Sequence, residues 1–261
     1  MVAAGAGPHV HIPCDKISEH AQLLNQHKLN LEIYFNSSFL DAVDAASYES
    51  LLNNLTYIPS LSFHAPFMDL SPGAIDAKVR EATVMRFNQM LDIAEVLKPL
   101  CIVFHSGYEK WKYGLSIDLW LQKSIETWGP LNERAKRSGV KIAIENIFED
   151  NPANLALLMK EMGSGNFGIC FDSGHCNLFS KVPLSEWLDD LAPHITELHL
   201  HDNDRSADQH LPIGDGTFDF SALLSSLKDA PVIHTIEAHS PERVLTSISR
   251  LEALMSSIVR H

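Results

Sequence analysis

ITELHLHD, residues 195–202, alternates residue by residue between two kinds of side chain. Side chains of a strand point to opposite faces in turn. Leu198 and Leu200 therefore share one face, while Glu197, His199 and His201 share the other. An apolar face of this sort packs on helices; a polar face needs an interior that can satisfy it. The same split recurs along the chain. Ile142 and Ile144 oppose Glu145, Ile102 and Phe104 oppose His105, and Leu61 and Phe63 oppose His64. Ile169 and Phe171 oppose Asp172, and Ile236 opposes Glu237.

Eight such strands are predicted: 9–13, 30–35, 61–66, 101–106, 141–146, 167–173, 195–202 and 232–238. Between them lie helix-like segments at 75–97, 117–137, 152–162, 219–228 and 241–259, with Pro72-Gly73, Pro99, Gly139 and Pro231 at boundaries. Strands alternating with helices in a chain of 261 residues predict an α/β fold, a single (β/α)8 TIM barrel spanning 1–261. A doubly wound open sheet is the competing architecture. GSGNFG at 163–168 matches a dinucleotide-binding pattern, but it precedes a strand where that motif must follow one, so it is a turn.

Composition sets the bounds. Apolar residues make up 45% and charged residues 20%, ordinary for a globular chain with a sizeable core. The charge of −13 weighs against a nucleic-acid partner without forbidding one, because that affinity rests on Lys and Arg neutralising phosphates. Cys14, Cys101, Cys170 and Cys176 have no C-x-x-C spacing, and Cys101 and Cys170 sit in apolar runs as small core residues. Neither a leader-like start nor a membrane-length apolar run is visible, so a cytoplasmic location is expected.

In each polar-faced strand the metal-capable residue lies at or near the last position, where such barrels place their chemistry. A lone strand-end His is more often a hydrogen-bonded structural residue than a ligand, and a lone carboxylate more often a cap or an ion pair. Six strands aiming His, Asp or Glu at one region are another matter, since a buried cluster of that kind is costly unless paired or bound to metal. His20, His27, His194 and His261 are expected at the surface, and His234 has outward parity. Glu149, Asp150 and Asp204 read as solvated loop charges.

The ordered segments SFHAP, VFHSG, IAIENIFE, CFDSGH, HLHD with DQHLPIGDG, and TIEAHS resemble successive strand ends of the xylose-isomerase-like superfamily of TIM barrels. That group contains sugar isomerases and epimerases as well as endonuclease IV-type enzymes (AP endonuclease family 2). The resemblance implies a metal site of Glu145, Asp172, His199 and Glu237, as in the epimerases. It also implies the further positions of the endonuclease type: His64 and His105 with Glu145 bridging, and His175 with Asp208 and His210. One to three divalent ions per chain follow, and mixed His/carboxylate donors suit Zn, Mn or Fe.

Two chemistries share these ligands. As an isomerase or epimerase of a small sugar or sugar phosphate, the first expectation, the protein would use Glu145 and Glu237 as its acid/base pair. As a phosphodiester hydrolase, the alternative, it would use two or three metals on a phosphate. A duplex-binding enzyme needs cationic loops, yet 36–47 and 66–74 contain no Lys or Arg, and only Lys110, Lys112, Lys181 and Arg205 are scattered beyond the other strands. Such cations could serve a small anionic substrate. His11, Glu32, Asn146, His201, Asp202 and Arg205 are the expected substrate-side residues. A non-catalytic scaffold is the third class, and the full ligand set weighs against it.

Overall fold

A computed structural model describes residues 7–42 and 45–258; His261 lies outside them. Eight parallel strands close into a barrel in sequence order: β1 (His9–Pro13), β2 (Asn30–Tyr34), β3 (Leu61–His64), β4 (Cys101–His105), β5 (Lys141–Glu145), β6 (Phe167–Asp172), β7 (Ile195–Leu200) and β8 (Ile233–Ile236). Because β8 pairs with β1, no sheet edge is left open. This is the (β/α)8 barrel, and the open-sheet alternative falls.

The parity reading holds in the packing. Ile102, Phe104, Ile142, Ile144, Ile169, Phe171, Leu198 and Leu200 belong to the large core shared with the helices. Cys101, Val103, Ala143 and Cys170 form a separate small cluster on the opposite parity. The two cysteines are thus the small core residues expected of them, inside the barrel where bulkier chains would crowd.

The five predicted helical segments are all present, and Ala21–His27, Lys110–Tyr113, Ser173–Phe179 and Leu184–Leu191 are helices that helical spacing did not single out. Asp76 caps Ala77–Leu97 by accepting from the Lys78 N–H at 2.7 Å, and that helix ends where Lys98 takes a left-handed φ of 54° before Pro99. Ile117–Arg137 tolerates Pro130 in its interior. The stretch 36–47, read as a loop, also contains a short helix, Ser37–Ala42, with Ala45–Ser50 following. No helix among the described residues is long and apolar enough to cross a membrane.

Candidate metal centre

Register carries the polar residues to one end of the barrel. Asp172 on β6 lies beside His199 on β7, and His105 on β4 beside Glu145 on β5. His11 on β1 lies beside Glu32 on β2. Glu237 and His201 each sit just beyond the ends of their strands. All are at the C-terminal mouth.

His199 is the centre of the cluster. Its Nε2–H donates to Glu32 Oε2 at 2.9 Å, which leaves Nδ1 as a lone pair. Nδ1 is buried without a hydrogen-bond partner, 3.3 Å from Glu237 Oε1, 3.5 Å from Glu145 Oε1 and 3.7 Å from Asp172 Oδ2. A lone pair facing three carboxylates is a place that a cation would stabilise. Two donors held ~2.0–2.2 Å from one ion stand roughly 3–3.6 Å apart, so the spacing matches a shared metal. The Glu32 contact is the carboxylate–histidine pairing that fixes a metal ligand's tautomer. Burial opposes protonation of His199, but Cys170, Glu32, Glu237 and Glu145 around it outweigh that and raise the imidazole well above its ordinary range.

Asp172 does two jobs because it is a helix cap. Its Oδ1 accepts from the His175 N–H at 2.7 Å, capping Ser173–Phe179, and Oδ2 accepts from His201 Nε2–H at 3.0 Å. The D-x-x-H spacing is the cap-to-third-residue geometry of a helix start. Gly174 between them is required, since a Cβ there would collide with Cε1 of His201.

Two further groups flank the centre. His64 donates its Nδ1–H to the Ala65 carbonyl, so its Nε2 faces Glu145 Oε2 at 3.1 Å, and His105 Nε2 faces the same oxygen at 3.2 Å. On the other side Asp208 lies 3.5 Å from His175 Nε2, 3.6 Å from His201 Nδ1 and 3.2 Å from His210 Nε2. The Nδ1 atoms of His201 and His210 are buried without partners, like that of His199. His64, His105 and Glu145 come within ligating reach of one another, as do His201, Asp208 and His210. His201, expected beside the metal, is therefore part of the third group.

The expected substrate-side residues divide. His11 lines the cavity and bonds Glu32 at 2.7 Å. Glu32 is fully buried beneath it. The structure does not bring Asn146, Asp202 or Arg205 to the cavity wall. Asn146 clamps β6 through the Asp172 N–H and carbonyl, and Arg205 turns to Asn177. Asp202 accepts from the N–H groups of Asn203, Gly214, Gly216 and Phe218, holding the loop that carries Asp208 and His210.

One expectation is corrected. Glu149 is not a solvated charge: it is 3% exposed, accepts from Ser106 Oγ–H and the Ile147 N–H, and burial raises its carboxyl. Asp150 pairs with Lys110 and Lys181, which occupies two of the scattered cations. Glu197 was missed as a feature in its own right. Inward parity pointed to it, but only the structure shows its Oε1 accepting from Ser62 and Thr235 at the centre of the barrel.

Above these groups opens a cavity of about 890 Å³. His64, His105, Glu145, His175, Asp208, His210 and Glu237 line it together with Tyr34, Phe67, Tyr108, Phe148 and Phe179. Lys112 is the only Lys or Arg among its described lining residues.

A closed parallel barrel with imidazoles and carboxylates gathered at its C-terminal mouth defines the class of protein. The family model of xylose isomerase-like TIM barrels matches residues 32–254, and the chain belongs to that family. It is similar to the TTHB071 protein from Thermus thermophilus, solved after soaking with ZnCl2, at 30% identity and a TM-score of 0.80, covering 95% of this chain and 98% of that one. A D-tagatose 3-epimerase-like protein shares the fold at a TM-score of 0.82 and 24% identity, covering 97% and 98%. An uncharacterized protein of Methanocaldococcus jannaschii, MJ1311, is 31% identical over 180 residues, 66% of this chain. The matched region spans 61% of that relative's length.

Proposed function

We propose that the protein is a divalent-metal-dependent isomerase or epimerase acting on a small, uncharged sugar. The observation that carries this reading is that Glu145, ending β5, and Glu237, following β8, both approach His199 Nδ1, at 3.5 and 3.3 Å, and both line the cavity. Glu145, Asp172, His199 and Glu237 would hold the ion, and their mixed oxygen and nitrogen donors suit Zn, Mn or Fe. When bound, the ion supplies Lewis acidity to a carbonyl and its neighbouring hydroxyl.

The chain's own groups do the rest. Burial works against ionisation of Glu145 and Glu237, yet His105 and His199 hold the Glu145 carboxyl well below the ordinary range, and His199 and His11 hold that of Glu237 below it. Both are therefore bases at neutral pH. One takes a proton from the substrate carbon and the other returns one from its own side. Tyr34 and Phe67 offer flat faces to the sugar's C–H surface. Asp69, Asp76 and Glu109 join Asp208 around the cavity against the single Lys112, which favours an uncharged sugar over a sugar phosphate. The four cysteines are free, in keeping with a reducing compartment such as the cytoplasm.

A second reading, the multinuclear phosphodiester hydrolase, is favoured by one observation. His64 and His105 turn on a single Glu145 oxygen while His175, His201 and His210 surround Asp208, so ligands for further ions are in reach.

Incubation of metal-loaded protein with ketohexoses and ketopentoses in D2O separates the two. The isomerase reading expects deuterium to enter the carbon beside the carbonyl, followed by NMR. Nitrophenol release from bis(p-nitrophenyl) phosphate with no such exchange on any sugar would transfer the assignment to the hydrolase.

A further inference from the structure

Two aromatic ladders climb from the metal-capable residues to the cavity mouth. On one side His105 stacks on Phe67, with centroids 4.3 Å apart and planes 16° apart, and Met68 follows at the rim. On the other His175 leans on Phe179 at 6.3 Å, and Phe179 meets Phe148 edge-on at 5.2 Å.

The apolar side chains around the mouth are exposed in a way that packing does not explain. Met68 is 68% exposed, Ile75 57%, Val79 40% and Phe148 56%, and all four line this one cavity. They are four of the ten large exposed hydrophobics among the described residues, and all four meet around one cavity. Exposed apolar side chains gathered around one cavity, rather than scattered singly, mark a binding surface. This one is continuous with the metal-capable floor. Its volume of about 890 Å³ lies near the top of the roughly 300–1,000 Å³ that encloses drug-sized ligands, far beyond the needs of a free monosaccharide.

We infer that the substrate is a sugar bearing an apolar, uncharged substituent, aryl or alkyl, which lies in the slot between the two ladders while the sugar sits on the floor. This rests on the metal-dependent reading above and specifies the substrate class of that site. The ladders select for the substituent by stacking and by removing its surface from water. Asp69, Asp76 and Glu109 at the same mouth disfavour an anionic tail.

The test uses two hydroxamates that share a metal-seeking head and differ in tail, acetohydroxamate and benzohydroxamate, titrated calorimetrically into zinc-loaded protein. Benzohydroxamate is expected to bind at least tenfold more tightly. The difference is expected to close to less than twofold in the Phe148→Ala, Phe179→Ala double variant, whose melting curve shows whether it is folded. Equal affinities in the wild type, or a preference that survives in the folded double variant, overturn the inference. If the double variant does not fold, Phe148→Ala alone, at an exposed position, must reduce the preference at least threefold. Failure of the metal reading looks different: neither hydroxamate binds. The slot is then read by the uncharged dye N-phenyl-1-naphthylamine, which has no metal-binding head. Wild-type protein must enhance its fluorescence and the variant must not, and any other result overturns the inference.

Discussion

His199 donates its Nε2–H to Glu32 at 2.9 Å and leaves Nδ1 without a partner, 3.3 Å from Glu237. Glu32 thereby decides which nitrogen is free to bind a metal. In Glu32→Gln the charge that holds this tautomer is gone. Zinc affinity should fall about 10–100-fold, the usual effect of losing such a partner. Competition against a chromophoric chelator measures it, and an unchanged affinity would show that Glu32 does not position His199.

Asp202 holds the loop from Asn203 to Phe218 by accepting four backbone N–H groups. An amide in its place has one acceptor oxygen, so Asp202→Asn leaves buried N–H groups unmet. Hydrogen bonds to charged groups contribute about 1.5–3 kcal/mol each, and a loss of about 2–4 kcal/mol is expected in urea unfolding. Proteolysis within the loop should quicken before the barrel unfolds. A variant as stable and as resistant as the wild type would contradict this role.

Gly174→Ala tests the packing of the capped helix on His201. The added carbon would collide with Cε1 of a fully buried ring, so one of the two must move. A destabilisation of about 1–3 kcal/mol is expected by thermal melting, with weaker binding of any second metal. No change in either would mean that the helix start shifts freely.

Glu197 gives a pH dependence with a definite sign. Burial, with Glu32 nearby, raises its carboxyl from 4.5 to about 8. A carboxyl raised on folding contributes stability that is fully present below pH ~4.5 and is lost as pH climbs to about 8, because only the unfolded chain ionises in that window. Metal-free wild type should therefore lose on the order of 5 kcal/mol across it from this group. Glu197→Gln, which does not titrate, should lack that part of the slope. Parallel pH profiles for the two proteins would contradict the shift.

Strand chemistry was legible because it is periodic. The alternation in 195–202 placed His199 inward, and the same parity placed His64, His105, Glu145, Asp172 and Glu237 at one mouth, where the structure has them. Chemistry further out on the loops was legible only where the family resemblance named His175, Asp208 and His210, because away from the strands no period says which way a side chain turns. Glu149 looked solvated and is buried on Ser106, and Asp202 looked like a metal neighbour and ties its own loop through the Asp202–Leu211 bridge. Arg205, at a left-handed φ of 69°, turns away to Asn177. The short helix Ser37–Ala42 escaped notice for a related reason, being too brief for helical spacing to stand out.

The most direct test of the account is metal content per chain, measured on zinc-loaded, desalted protein for the wild type, His199→Ala and Asp208→Ala. A single-metal isomerase centred on His199 predicts one ion in the wild type, one in Asp208→Ala and none in His199→Ala. Two or three ions in the wild type, with one lost from Asp208→Ala, would contradict it in favour of the hydrolase, and a wild type that retains no ion would contradict both.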